Sequence, residues 1–112
     1  MEQGGDPEGR LRAALTDLYR FHRDGQDMLA LSHRDRAAMP ASQRERLAAR
    51  DLYWRGLLLA PFRVRGARRR RVGAVLGHAA AFPTWRSLCV DQGLSDAEAV
   101  DAMVALAMAT AG

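Results

Sequence analysis

Residues 82–100, FPTWRSLCVDQGLSDAEAV, decide how the C-terminal third of this chain folds. They read as the end of one apolar helix, a tight break and the start of a second helix. Gly93 suits the position just after a helix C-terminus, because glycine adopts positive φ without strain. Ser95 and Glu98 form the S-x-x-E capping box that begins a helix. The stretch therefore predicts two consecutive helices that meet at Gly93.

The helix after the capping box is apolar on more than one side. One face, at helical spacing, carries Val100, Met103, Val104, Ala107, Met108 and Ala111. The other side is nearly as apolar and carries Ala102, Ala105, Leu106 and Ala109. A chain this short cannot cover such a helix on every side, so we expect part of it to contact a second copy of the chain. The sequence therefore predicts a homo-oligomer.

Two helices are predicted before the middle of the chain. Asp6 is a suitable N-cap, and Pro7 fits the first helical position, where the missing N–H costs nothing. Gly25 ends this helix, and a second, shorter helix runs from residue 26 or 27 to residue 38. Residues 1–6 are expected to form a disordered lead.

A third helix is predicted to begin at a capping box of Ser42 and Glu45. Its second half, residues 52–59, is apolar nearly all round, so we expect it to pass through the interior or to line a cavity there. Gly56 within that half would allow a close backbone approach.

A fourth helix is predicted over residues 67–91. Gly73 and Gly77 form a small-x-x-x-small pair, which allows another helix to approach closely. Pro83 lies inside this helix and should kink it, because proline cannot donate a hydrogen bond to the carbonyl of Ala79.

Length and composition limit the class of protein. The 112 residues suffice for one domain with a modest core. The longest apolar run, residues 72–83, is shorter than the ~20 residues a bilayer requires, and the N-terminus does not resemble a signal peptide. The single Cys89, interpreted as a buried small hydrophobe, fits a reducing cytoplasm. We expect a cytoplasmic, all-α single domain of about five helices over residues 7–112, with no membrane contact.

Catalytic and metal-binding motifs are not found in the sequence. There is no nucleophile elbow, phosphate-binding glycine loop, H-E-x-x-H motif or cysteine pair. His22, His33 and His78 fall on three different predicted helices, so we interpret them as separate helix-face or core residues. A metal or acid–base site assembled from them by packing is the alternative. We expect no enzymatic activity, no catalytic residue, no metal and no cofactor.

The segments TWRSL, residues 84–88, and QGLSDAEA, residues 92–99, resemble the C-terminal domain of TetR/AcrR-family transcriptional regulators. The resemblance is clearest over about residues 78–105 and looser elsewhere. It implies that the last two helices pair across a two-fold axis into a four-helix bundle, and that earlier helices enclose an effector pocket. The family's DNA-reading domain is an N-terminal helix-turn-helix unit, and this chain begins about where that unit would end. The implied function is ligand sensing and dimerisation, without sequence-specific DNA binding by this chain.

Two groups of residues are expected to carry these roles. The dimer interface is expected to contain Gly77, Thr84, Trp85, Leu88, Val100, Met103, Val104, Ala107 and Met108. A pocket for a small apolar effector is expected to contain Tyr19, Met28, Tyr53, Trp54, Leu58, His78 and Phe82. Alternatively, these aromatic residues simply fill the core. The expected partner is a second copy of the chain or a related full-length regulator.

Positive charge is concentrated in one segment. All 17 basic residues are arginine, and no acidic residue lies between Asp51 and Asp91. Residues 63–71 contain most of the arginines of that interval and allow three interpretations: a solvated loop and helix start, a contact for nucleic acid or anionic lipid, or a gate for an acidic effector. The cluster has no interleaved aromatic residues and no reading helix, so any nucleic-acid binding would be sequence-blind and salt-sensitive. A small basic protein that binds nucleic acid non-specifically is therefore the alternative function.

Overall fold

The fold consists of six helices over the described residues, 6–112, of a computed structural model. Their bounds are α1 Pro7–Asp24, α2 Gln26–Arg34, α3 Ala41–Leu59, α4 Gly66–Ala80, α5 Phe82–Trp85 and α6 Asp96–Ala111. A short 3-10 helix, Arg36–Ala38, follows α2, and a π-helical segment, Arg86–Asp91, continues α5. The predicted all-α class is confirmed. The predicted disordered lead falls, except for Asp6, outside the described residues.

Side-chain caps begin α1 and α6 as the sequence predicted. The Asp6 carboxylate accepts a hydrogen bond from the Gly9 N–H at 2.8 Å. At α6 the Ser95 hydroxyl accepts from the Glu98 N–H at 3.1 Å, and the Glu98 carboxylate accepts from the Ser95 N–H at 2.9 Å. Each bond satisfies a backbone donor that lacks a partner at a helix start.

The break before α6 depends on the backbone conformation of Gly93. Its φ of +81° is left-handed, which glycine alone adopts without strain. This conformation turns the chain so that the Leu94 N–H donates to the Leu88 carbonyl at 2.9 Å. The predicted helix end at Gly93 is therefore confirmed.

The core lies among α1, α4 and α6, with α5 packed across α1 and α4. Its fully buried large side chains are Leu11, Leu15, Tyr19, Val72, Leu76, Trp85 and Val104. Each lies on the inward stripe of its helix, so the helices share one apolar interior. The α6 helix is thus an internal element of the bundle as well as the end of the described chain.

The position of α3 differs from the prediction. Only Leu58 and Leu59 of its apolar second half are buried, whereas Leu52, Tyr53, Trp54 and Leu57 are exposed. The reason is that α6 already covers the interior face of the bundle, so α4 supplies the main surface on which α3 packs. The prediction that residues 52–59 pass through the interior is wrong.

Three local details of α2 and α3 also differ from the sequence prediction. The Ser42–Glu45 capping box is not formed, because α3 begins earlier, at Ala41, after an extended Pro40. Gly56 has open space around it and no close backbone. The second predicted helix ends at Arg34 rather than at residue 38.

The close approach predicted at Gly73 and Gly77 is made by α3 of the same chain. A Cβ atom added at Gly73 would lie 3.6 Å from Leu59 Cδ2, and one at Gly77 would lie 3.1 Å from Arg55 Cδ. The order of these contacts shows that α3 and α4 run antiparallel. Gly77, expected at the dimer interface, is therefore covered by the stem of Arg55.

Candidate functional site

The fourth predicted helix is broken at Ala81 and not merely kinked. Ala81 is extended, with φ −72° and ψ 139°. Pro83 has no N–H to offer the Ala79 carbonyl, and the Thr84 N–H donates to Ala81 at 3.1 Å instead of to Ala80. The break therefore leaves the last carbonyls of α4 without partners from the backbone ahead of them.

Two side chains of α1 supply the missing donors. The Tyr19 hydroxyl donates to the Ala79 carbonyl at 2.5 Å. The His22 Nε2 atom lies 2.9 Å from the Ala80 carbonyl oxygen, which can only accept, so Nε2 carries the proton and donates. Burial also raises the pKa of Tyr19 far above its ordinary value. Tyr19, expected in a ligand pocket, is therefore a structural cap.

The imidazole ring of His22 is surrounded by aromatic rings. Its side chain is only 6% exposed, and the ring of Phe82 meets it edge-on at a centroid distance of 5.6 Å. Tyr19 and Trp85 lie at 6.0 and 6.2 Å. Among the described residues, the buried Nδ1 atom has no hydrogen-bond partner. Burial lowers the pKa of His22, an effect that the bond to Ala80 partly opposes.

His22 should make the fold less stable in mild acid. Since its pKa is lowered in the folded state, the unfolded chain binds the proton more readily, and stability falls as pH drops below the ordinary value of 6.5. We expect the urea midpoint of the wild type to fall between pH 7 and 5, and this fall to be smaller in His22→Phe. The exposed His33 provides the control, because His33→Gln should show the same fall in urea midpoint between pH 7 and 5 as the wild type. An equal fall in all three proteins would contradict the prediction.

Asp96 joins three elements through hydrogen bonds. Its carboxylate accepts from the Trp85 indole N–H at 3.0 Å and from the Arg23 guanidinium at 2.8 to 3.2 Å. The same guanidinium lies 5.2 Å from the centroid of the Trp85 ring, within range of a cation–π contact. The bonds from Arg23, followed by the one from Trp85, hold the pKa of Asp96 below its ordinary value against the opposing effect of desolvation. The network ties α1 and α5 to the start of α6.

Cys89 is buried beneath this network. Its thiol lies 3.8 Å from the Ser95 carbonyl oxygen. Burial raises the pKa of the thiol, and the negative charge of Asp96 adds to that effect. The side chain is 9% exposed within the core, so the interpretation of Cys89 as a small buried residue is confirmed.

An open groove of about 310 Å³ borders the helix break. It is lined by His78, Ala81, Pro83, Thr84, Ser87, Leu88 and Met103. The Thr84 hydroxyl and the His78 Nδ1 atom lie 3.2 Å apart, within hydrogen-bond distance. Ser87 and Leu88 belong to the π-helical segment, a conformation that is frequent at functional sites. The groove thus combines a few polar groups with an apolar wall.

The residues predicted for an effector pocket do not converge on one cavity. Tyr53, Trp54 and Met28 are exposed. Leu58 and Phe82 are buried in the core together with Tyr19, and His78 alone of the seven lines the groove. A second depression, at the junction of α1 and α2, includes only Met28 of this set. Periodicity identified the aromatic residues but not the directions in which they point.

The residues predicted for a dimer interface divide into two groups. Trp85, Val100, Val104 and Ala107 are buried within one copy of the chain, so their assignment to a contact with a second copy is corrected. The reason is that α1 and α4 cover this face of α6. The second group lines the groove: Leu88 is half-buried there, and Thr84 and Met103 reach it although they are 7% and 9% exposed. Met108 is half-buried on the flank of α6.

The outward face of α6 is apolar and uncovered within one copy. It carries Ala102, Ala105, Leu106 and Ala109, all exposed. Leu106 follows Met103 by one helical turn, so this face is continuous with the wall of the groove. No charged residue follows Asp101. We call this combined area of groove and outward helix side the α6 face.

The chain shows no similarity that would identify a family. Comparison with protein-family models, with curated proteins and with solved structures gives no match. Within residues 6–112 no group of three or more histidine, cysteine, aspartate or glutamate side chains is placed to hold a metal ion. None of the helices described is long and apolar enough to cross a membrane.

Sequence reasoning missed the roles of His22, Arg23 and Asp96. A signal for His22 existed, because it falls on the apolar stripe of α1 after Tyr19, where a polar group requires a buried partner. Pro83 gave a signal for the capping role of Tyr19, since it leaves the Ala79 carbonyl without its backbone donor. The Arg23–Asp96 pair joins residues 73 positions apart and had no local signal.

Proposed function

We propose that residues 6–112 form a dimerising regulatory domain of the TetR-like type, in which the α6 face is the contact between two copies. The observation that carries this proposal is the apolar character of that face. Leu106 is 42% exposed on it, among alanines whose small side chains allow another helix to approach closely. A face of this kind is stabilised when a second copy covers it. The resemblance of residues 84–99 to the TetR family supports the same arrangement.

The proposed contact is isologous, so the same residues of both copies meet across a two-fold axis. Two α6 helices and the two segments that continue α5 would then form the four-helix bundle that the resemblance implies. Thr84, Leu88 and Met103 would take part from the groove, and Leu106 from the outward side of α6. The buried face of α6 would keep its partners in the core.

The test is the solution mass, measured by light scattering at several concentrations. We expect about 24.6 kDa, twice the 12.3 kDa of one chain, and persistence of this mass on dilution. Leu106→Glu should give a folded protein of single-chain mass, because it places two carboxylates in the contact. Leu52→Glu introduces the same charge at an exposed leucine of α3 and should leave the double mass unchanged. A folded wild type of single-chain mass would contradict the proposal.

The effector part of the proposal concerns the groove. Its polar groups, those of His78, Thr84 and Ser87, stand beside apolar walls, which is the composition of sites for small, mostly apolar molecules. Because the groove belongs to the α6 face, a bound molecule would favour one arrangement of the two copies over another.

A thermal-shift screen with small apolar compounds tests this part. A compound that binds only the folded state must raise the melting temperature, by an amount that corresponds to about 2.7 kcal/mol at a concentration of 100 times Kd. The shift should be smaller in Ser87→Leu, which fills the groove. A compound that stabilises both proteins equally binds elsewhere and contradicts the assignment.

A further inference from the structure

The start of α4 and the loop before it carry arginines that form no ion pair with another described residue. We call this the arginine end and define it by Arg63, Arg65, Arg68, Arg69, Arg70 and Arg71. All of them are exposed, and among the described residues none has a carboxylate within 4.0 Å. The ion pairs that do form involve Arg12, Arg23, Arg34 and Arg36, on α1, at the end of α2 and in the 3-10 helix. The arginine end is therefore a region of uncompensated positive charge.

The sequence prevents this charge from being neutralised locally. No acidic residue lies in the 39 positions between Asp51 and Asp91, so α4 and the loop before it contain no carboxylate. The arginines also surround the N-terminus of α4, where the helix dipole adds positive potential and no side chain caps the backbone. Like charges at this density repel each other, and a polyanion would remove that repulsion.

Two exposed aromatic residues lie on α3, the helix that packs along α4. Tyr53 is 64% exposed and Trp54 is 44% exposed, with ring centroids 6.1 Å apart in an edge-on arrangement. Since α3 and α4 are antiparallel, the C-terminus of α3 and the N-terminus of α4 lie at the same end of the pair. Because Gly77 lies against Arg55, Trp54 is level with the C-terminal part of α4. Along the helix axis it is about 10 to 15 Å from Arg71 and Arg68, a separation that an extended single strand of several nucleotides can span. The structure thus supplies the aromatic groups that the arginine segment itself lacks.

We propose that the arginine end and the Tyr53–Trp54 pair form one binding surface for single-stranded nucleic acid. Guanidinium groups form paired hydrogen bonds with phosphate oxygens and would follow the backbone of the strand. The indole and phenol rings would stack on unpaired bases, which are available in a single strand and are not available in a duplex. The recognition is independent of sequence, because every base has a stacking face. The proposal does not depend on dimerisation.

The same observations argue against a lipid surface. A basic helix binds a membrane by placing its apolar face among the acyl chains. The apolar face of α4, formed by Val72, Leu76 and Ala79, is fully buried in the core. Val64, the largest apolar side chain among residues 63–71, is itself partly buried against the core. Residues 63–71 and α4 therefore offer no fully exposed large apolar side chain to insert, so insertion into a membrane would have to use the exposed side chains of α3.

The experiment is a fluorescence-anisotropy titration of a labelled oligothymidylate of about 12 nucleotides, repeated at salt concentrations from ~50 mM upwards. Six phosphate contacts predict a log–log salt slope of about −4, since each contributes about −0.7 on a single strand. Arg69→Ala combined with Arg70→Ala should bring the slope to about −3. Trp54→Ala should weaken binding roughly 5- to 150-fold with little change in slope, because stacking is not ionic.

Leu57→Ala is the matched control, because Leu57 is an exposed apolar residue on the same part of α3 without an aromatic ring. Its affinity should equal that of the wild type. The proposal is overturned if the oligonucleotide does not bind at ~50 mM salt, if Trp54→Ala and Leu57→Ala bind equally, or if a duplex of the same length binds more tightly. Tighter binding to vesicles of phosphatidylserine and phosphatidylcholine than to the oligonucleotide would also overturn it. The affinities and salt slopes are compared between variants, whereas the dimer is scored by the light-scattering mass, so failure of the dimer would be seen separately.

Discussion

Replacement of Trp85 by alanine is expected to lower the free energy of unfolding by about 3–5 kcal/mol. The indole is fully buried, so its removal leaves a large cavity between α1, α5 and α6. The substitution also removes the N–H that donates to Asp96 and the ring that faces Arg23. Domains of this size have only about 5–15 kcal/mol of stability, so the variant loses a large share of it and should unfold at a much lower urea concentration than the wild type. The measurement is urea unfolding followed by far-ultraviolet circular dichroism.

Trp54→Ala is the matched control for that experiment. Trp54 is nearly half exposed on α3, and its side chain has no hydrogen bond to another described residue. We expect a change of less than about 1 kcal/mol, as for most surface substitutions. If the two tryptophan variants lost similar stability, Trp54 would be a core residue and the exposed position of α3 would be wrong.

Asp96→Ala is expected to cost about 2–3 kcal/mol, because it leaves the buried Trp85 N–H without an acceptor and Arg23 without its partner. The loss should depend on pH. The pKa of Asp96 is lowered in the folded state, so its contribution is present above the ordinary value of 3.8 and is lost as pH falls through the lower folded pKa. The stabilities of wild type and variant should therefore converge as pH decreases towards and below 3.8.

Asp101→Ala provides the comparison for this variant. The Asp101 carboxylate pairs with Arg12 at the surface, where both side chains are largely exposed to solvent. Exposed pairs of this kind contribute about 0–1 kcal/mol, so we expect a small loss at pH 7. Equal losses for the two aspartate variants in urea unfolding at pH 7 would show that the Asp96 network contributes no more than a surface ion pair.

The parts of the fold that the sequence predicted correctly depend on local chemistry. Asp6, Gly25, Gly93 and Ser95 act on the backbone within a few residues, so their effects can be read from neighbouring positions. The effect of Pro83 was predicted in part, because the i to i−4 spacing of helix hydrogen bonds identifies Ala79 as the carbonyl that loses its donor. Whether the chain then bends or breaks depends on acceptors and donors elsewhere, here those of α1.

The incorrect predictions share one cause. Hydrophobic periodicity shows how apolar a helix face is, but not which other element covers it. Two helix faces are strongly apolar: that of residues 52–59 on α3 and that of Val100 on α6. Only the face that contains Val100 is buried in the core. That outcome follows from competition between α3 and α6 for the same interior surface. The packing of α3 and α6 does not test the dimer, the effector or the relation to the TetR family, and these stay predictions.

The capping of α4 by α1 has a consequence for the order of folding. The Ala79 and Ala80 carbonyls find their donors 60 and 58 residues earlier in the chain, so the end of α4 cannot be completed by its own neighbourhood. Contacts between such distant residues form only after the intervening segment has closed into a loop. The last turn of α4 therefore frays until the N-terminal helix docks. Because α5 begins just after that turn, we expect α1, the end of α4 and α5 to become ordered together.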